Sequence, residues 1–130
     1  MYLLDTHVVV WLAGDPRRIS KKASATIREA RAANDELLIA GITLFEIATL
    51  VRRDRIGPKV ALDGFLEEIE SLFVVLPINR QIAALSVQLP PEYPNDPMDR
   101  LIGATAMVHG VPLITADERI RKSKSLETIW

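Results

Sequence analysis

The segment Tyr2-Leu-Leu-Asp-Thr-His-Val-Val-Val-Trp-Leu-Ala13 decides the fold class. Tyr2 to Leu4 is a short apolar run that meets Asp5-Thr6, and residues 7–13 are apolar enough for a buried helix that stops at Gly14-Asp15-Pro16. A strand that turns directly into a helix opens an α/β chain, and the same alternation continues outward from it. Ser20 is placed to cap a helix through about Ala33, with Ala23, Ile27 and Ala30 on one face, and Leu37 to Ala40 is a second buried strand. Thr43 is expected to cap a helix that turns Leu44, Ile47, Ala48 and Val51 inward, carries Glu46 in its first turn and runs to about Arg53. Pro58 suits the first turn of the next helix, which shows Val60, Leu62, Phe65, Leu66 and Ile69 at helical spacing.

Phe73 to Leu76 is a third β run, stopped by Pro77, and Asn79 opens a helix containing Ile82 and Leu85 and extending toward Val87. Residues 90–95, Pro-Pro-Glu-Tyr-Pro-Asn, form a loop, and Asp96-Pro97 is a helix start with aspartate as cap and proline at the first position. That helix runs to about Val108 and ends at His109-Gly110; Val111 to Thr115 is a fourth strand, residues 117–121 a short helix and Leu126 to Trp130 an edge strand. The alternation implies right-handed crossovers and a mostly parallel sheet of four to five strands with helices on both faces, a three-layer α/β fold.

Composition bounds what such a fold can do. With 130 residues, 48% of them hydrophobic, the chain fits one compact domain over residues 1–130 that buries roughly two-thirds of its unfolded surface. Its longest apolar runs fall far short of the ~20 residues that span a bilayer, so a soluble, cytoplasmic chain with no membrane partner is expected. The absence of cysteine excludes disulfides, a thiolate zinc site and a cysteine nucleophile, leaving oxygen or imidazole ligands for any metal. A net charge of -1 means that nucleic acid would be held by local basic patches and not by the field of the whole molecule.

In a parallel sheet the carboxyl ends of the strands open on one edge, where ligands bind. Asp5 follows the first strand, Asp117 lies two residues past Thr115 at the end of the fourth, and Glu46 and Asp99 fall in early turns of helices that leave the same edge. Each acid alone is explained by capping and the helix dipole. Gathered at one edge, they repel one another and raise each other's pKa values, a cost that a cation removes. Mg²⁺ or Mn²⁺ is held by one or two carboxylates while water and a substrate phosphate fill the remaining positions, which suits phosphodiester cleavage.

Four motifs, Tyr2-Leu-Leu-Asp-Thr-His7, Ile42-Thr-Leu-Phe-Glu-Ile47, Asp96-Pro-Met-Asp-Arg-Leu-Ile-Gly-Ala-Thr-Ala106 and Leu113-Ile-Thr-Ala-Asp117, together resemble the PIN-domain nucleases, most closely the VapC-type toxins of bacterial toxin-antitoxin pairs. The resemblance spans nearly the whole chain, in order and at matching spacing. It implies a PIN-like fold and an endoribonuclease dependent on Mg²⁺ or Mn²⁺, homodimeric, acting on RNA and neutralised by a cognate antitoxin protein. Asp5, Glu46, Asp99 and Asp117 match the family's acidic quartet, with Thr115 the hydroxyl residue before the last aspartate. The roles that follow are Asp5 and Asp99 as direct metal ligands, with Glu46 and Asp117 orienting the attacking water or holding a second ion. Asp96 and Asp99 are one helical turn apart and either could face the metal, but Asp96 precedes Pro97 and is needed as the cap, which favours Asp99. Gly103, one turn below Asp99, leaves room for water or phosphate or serves close packing.

Of three basic groups, the one after Asp117, with Arg119, Arg121, Lys122 and Lys124, is best placed to hold an RNA backbone, and Thr115 stands beside it as a further substrate contact. Arg100 is expected to pair with a neighbouring acid, and His7, in the first turn of a buried helix, fits a packing or orienting residue better than a general base. With aromatics at 5%, base stacking is not the main source of grip, and Trp11 and Trp130 read as core or interface residues. A dehalogenase-like phosphatase would need a second Asp where His7 stands, and a receiver domain an adjacent acidic pair that Asp5 lacks. The alternatives that remain are a housekeeping PIN nuclease and a catalytically silent PIN-like protein-binding module.

Overall fold

The structure is a computed structural model and describes residues 1–53 and 61–130. Five short strands, β1 (Tyr2–Leu4), β2 (Leu37–Ala40), β3 (Val74–Leu76), β4 (Leu113–Ile114) and β5 (Thr128–Ile129), form one sheet in the order β3-β2-β1-β4-β5 with every neighbouring pair parallel. The helices are α1 (Thr6–Gly14), α2 (Lys21–Ala32), α3 (Gly41–Arg52), α4 (Leu62–Leu72), α5 (Arg80–Ser86), α6 (Pro97–His109) and α7 (Glu118–Ser123). Strand order reverses at β1, so the crevice between the ends of β1 and β4 is the switch point at which such sheets bind ligands.

Alternation along the strands builds a core on each face. Leu4, Leu37, Ile39 and Ile114 join Val8 and Val9 of α1, Ile27 of α2, Ile47 of α3 and Ile69 of α4. Leu3, Leu38, Ala40 and Leu113 face the other way, toward Ile102 and Ala106 of α6, Ile120 of α7 and Tyr93. Each fully buried Leu or Ile contributes roughly 1.5–3 kcal/mol, so these two layers hold the strand ends in register.

The expected strands and helices stand where the pattern put them, with local corrections. Ser20, Asn79 and Asp96 cap their helices through side-chain oxygens, and Gly110 ends α6 at φ 62, in the left-handed region. Thr43, however, caps nothing. The helix begins at Gly41, directly from β2, so Thr43 sits inside the first turn, fully buried, and Glu46 falls in the second turn instead of the first. Val87 follows the end of α5 as an exposed residue, and α7 starts at Glu118 with Asp117 as its cap. The expected contributions of Pro58 and Val60 lie outside the described residues. No helix among the described residues is long and apolar enough to cross a membrane.

Candidate active site at the carboxyl edge of the sheet

Asp5 follows β1 and is buried, its side chain held on both sides. Its Oδ1 accepts the Thr6 backbone N–H at 2.8 Å and its Oδ2 accepts the Thr115 hydroxyl at 2.7 Å, across the switch point between β1 and β4. Thr115 is fully buried and its oxygen also accepts the backbone N–H of Asp117 at 3.1 Å. The hydroxyl expected to contact substrate is therefore spent within the protein, linking the two aspartates. Burial raises the Asp5 carboxyl above the ordinary carboxylate range, against the lowering effect of its hydrogen bonds to Thr115 and Thr6.

Glu46 comes from α3, half-buried, and its Oε1 accepts the Thr6 hydroxyl at 2.7 Å. Thr6 also lies 3.0 Å, oxygen to oxygen, from the hydroxyl of Thr43. Burial is the main cause of an upward shift in the Glu46 carboxyl, opposed by the Thr6 hydrogen bond and reinforced by Asp5 and Asp96. Thr6 and Thr43 escape a reading of charged residues alone. One signal was present: Thr43 and Glu46 are three apart and share a helical face, a spacing that equally describes a capping pair.

Asp99, in the first turn of α6, is half-buried and makes no side-chain hydrogen bond or ion pair among the described residues. Its carboxyl is pushed up to about 7, first by burial and then by the charges of Asp5, Asp96, Asp117 and Glu46. Asp96 is exposed, with Oδ1 accepting the backbone N–H groups of Met98 and Asp99 at 2.8 and 3.1 Å. Capping alone does not separate the two aspartates, because Asp117 caps α7 in the same way, through Oδ1 to Arg119 and Ile120. What separates them is burial together with a free carboxylate.

Tyr93 explains Gly103. The tyrosine is buried, donates its hydroxyl to the Asp99 backbone carbonyl at 2.9 Å and lies so close to the glycine that an added Cβ would overlap the hydroxyl and come within 2.6 Å of Cζ. Of the two readings of Gly103, close packing is the one found, with a loop aromatic and not the sheet as the neighbour. Arg100 is a second correction. Instead of an acid it bonds, at 3.4 Å each, the backbone carbonyls of Ser86, Leu89 and Tyr93 and the side chain of Asn95, tying the proline-rich loop to α6.

His7 is exposed at the rim, near enough to Asp5 and Glu46 that a proton on its ring favours their ionised forms. Trp11 and Trp130 are half-buried and lie 5.9 Å apart between ring centroids, with the Arg18 guanidinium 4.5 Å over Trp11. On α7, Arg119 is exposed, Lys122 faces Glu118 at 3.5 Å in a solvated pair, and Arg121 is half-buried with Nε lacking a hydrogen-bond partner among the described residues.

The four acids thus offer only oxygen donors, with no ion pair to any of them among the described residues. No three Asp, Glu or His side chains close into a metal cage among those residues. Such a donor set suits an ion that takes one or two carboxylates and completes its shell with water and substrate, the habit of Mg²⁺. Asp5, with lone pairs to spare beyond its two hydrogen bonds, and Asp99, whose carboxylate no described residue engages, are the donors that fit it.

Residues 2–125 match the family model for the PIN domain. The chain is 38% identical to Ribonuclease VapC22 of Mycobacterium tuberculosis, over 98% of this chain and 97% of that protein. Among solved structures it resembles VapBC2 from Rickettsia felis bound to a DNA fragment from their promoter, with a TM-score of 0.74, 18% identity and coverage of 98% and 96% of the two chains. It also resembles a toxin-antitoxin complex from Klebsiella pneumoniae, with a TM-score of 0.62, 25% identity and coverage of 92% and 89%. The order of its strands, the acids at their carboxyl edge and these matches over nearly the whole sequence agree: the chain belongs to the PIN-domain family.

Proposed function

We propose that this protein is an endoribonuclease dependent on Mg²⁺ or Mn²⁺ and the toxic half of a toxin-antitoxin pair. The observation that carries the reading is one edge where the charges of Asp5, Glu46 and Asp117 act on Asp99 with no ion pair to any of the four among the described residues, in a chain 38% identical to a protein named a ribonuclease. Asp5 and Asp99 are the residues that would hold the ion, and Glu46 and Asp117 those that would orient the attacking water. When bound, the ion lowers the pKa of that water and offsets negative charge developing on the phosphate. Thr115 acts by fixing Asp5, and the exposed Arg119, two residues past Asp117, is the cation best placed to hold the RNA backbone.

The same electrostatics calls for a protein partner. Without a metal, the edge is a half-buried negative pocket, and an arginine suits it because its planar fork binds carboxylates bidentately and keeps its charge. An antitoxin that inserts such a side chain would silence the enzyme. The test is to express the chain alone and together with the open reading frame immediately upstream in its own genome. Growth arrest by the chain alone, abolished by Asp5→Asn and relieved by a neighbour that forms a stable complex, is the expected result. Harmless expression of an active nuclease with no neighbouring binder would leave a housekeeping ribonuclease as the better reading.

A further inference from the structure

We propose that the buried hydroxyls of Thr43 and Thr6 form a directed relay that holds Glu46, making both threonines positioning residues for the reaction. The proposal rests on the nuclease reading for its consequence, but the relay itself is a matter of hydrogen-bond direction. Thr6 has one hydroxyl proton. An ionised Glu46 carboxylate only accepts, so at 2.7 Å that proton is given to Oε1. The 3.0 Å contact with Thr43 can then be a hydrogen bond only if Thr43 donates and Thr6 accepts. With Glu46 ionised the order is Thr43 to Thr6 to Glu46, and donation into Thr6 strengthens the bond that Thr6 makes to the carboxylate.

Three threonines inside helices behave differently, whereas Thr115, like Thr6, gives its hydroxyl to a distant acid. Thr26, Thr49 and Thr105 each return their hydroxyl to the carbonyl four residues earlier in their own helix, at 2.9, 2.9 and 2.7 Å. Thr6 and Thr43, only 1% and 0% exposed, use theirs across 40 and 37 residues of sequence, between α1 and α3. Thr6 also gives its backbone N–H to Asp5, so one residue grips two acids, one at the end of β1 and one on α3. Glu46 Oε2 makes no hydrogen bond among the described residues and is the oxygen left for the reaction. A glutamate without this grip would sample several rotamers and present that oxygen only part of the time.

The experiment compares Thr6→Val, Thr43→Val and the double variant with Thr6→Ser and Thr43→Ser, by kcat and KM for RNA, melting temperature and the ¹³C signal of the Glu46 carboxyl. Valine keeps the shape and, at position 6, the N–H bond to Asp5. Thr6→Val is expected to lower kcat roughly 10–100-fold with little change in KM, as for residues that orient metal-site groups. Thr43→Val, which touches no acid, should lower kcat by a smaller factor and still move the Glu46 signal. The double variant should be no worse than Thr6→Val alone, and the serine variants should recover most of the activity. Independent, additive losses, or a Glu46 signal unmoved in Thr43→Val, would overturn the relay. If the wild type fails to cleave RNA, the nuclease reading falls while the carboxyl signal still decides the relay.

Discussion

Asp99 carries the heaviest electrostatic load at the site. Its carboxyl, pushed up to about 7 by burial and by Asp5, Asp96, Asp117 and Glu46, stays protonated in the folded protein at pH values where the unfolded chain has already lost the proton. A raised carboxyl pKa therefore makes the metal-free protein less stable as pH climbs from about 4 toward 7. Because the side chain is only half-buried, solvent screening holds the effect to the order of 1 kcal/mol. Asp99→Asn removes this penalty. In EDTA at neutral pH its melting temperature should exceed the wild type's by a few degrees, with a flatter pH dependence between 4 and 7. An unchanged or lower melting temperature in EDTA would mean that Asp99 is not held among like charges. Asp96→Asn is the contrast, since asparagine caps as well as aspartate; it should stay active, whereas Asp96→Ala should cost about 1 kcal/mol in a denaturation curve.

At the scale of elements, the start of α6 is set by what packs under it. Tyr93 fills the space that Gly103 leaves open and holds the Asp99 carbonyl, while Arg100 ties down the loop that carries Tyr93. Gly103→Ala should destabilise by about 1–3 kcal/mol through overpacking. Tyr93→Leu in the same chain should recover part of that loss, a non-additivity that a double-mutant cycle in urea measures. Simple additivity would place the clash elsewhere. These contacts mark where sequence stops being legible. Period-2 and period-3.6 patterns placed the strands and helices because each must bury a face, and Asp96-Pro97 located a helix start from local chemistry alone. Thr43 misled because a hydroxyl three residues before a glutamate fits a cap, and only tertiary packing shows that the helix begins earlier, at Gly41. Arg100 and Gly103 found partners in a loop whose path no periodicity describes.

For the whole molecule, topology does what no single motif can. The order β3-β2-β1-β4-β5 puts the ends of β1 and β4 side by side, which is why Asp5 and Thr115, 110 residues apart in sequence, share a hydrogen bond. The acids were legible as an edge cluster because parallel strands must end on one side; the threonines that fix them were not, since their partners depend on side-chain packing across elements. The proposed ion would offset the repulsion among these acids, so millimolar Mg²⁺ or Mn²⁺ should raise the melting temperature of the wild type relative to EDTA, and much less that of Asp5→Asn. No shift in the wild type would count heavily against a shared ion. The most direct measurement is cleavage of a labelled RNA mixture by purified protein, with Mg²⁺ or Mn²⁺ and with EDTA, beside Asp99→Asn. The expected result is internal cleavage that needs the metal and falls at least about 100-fold in Asp99→Asn; undiminished cleavage in EDTA or in Asp99→Asn would contradict it.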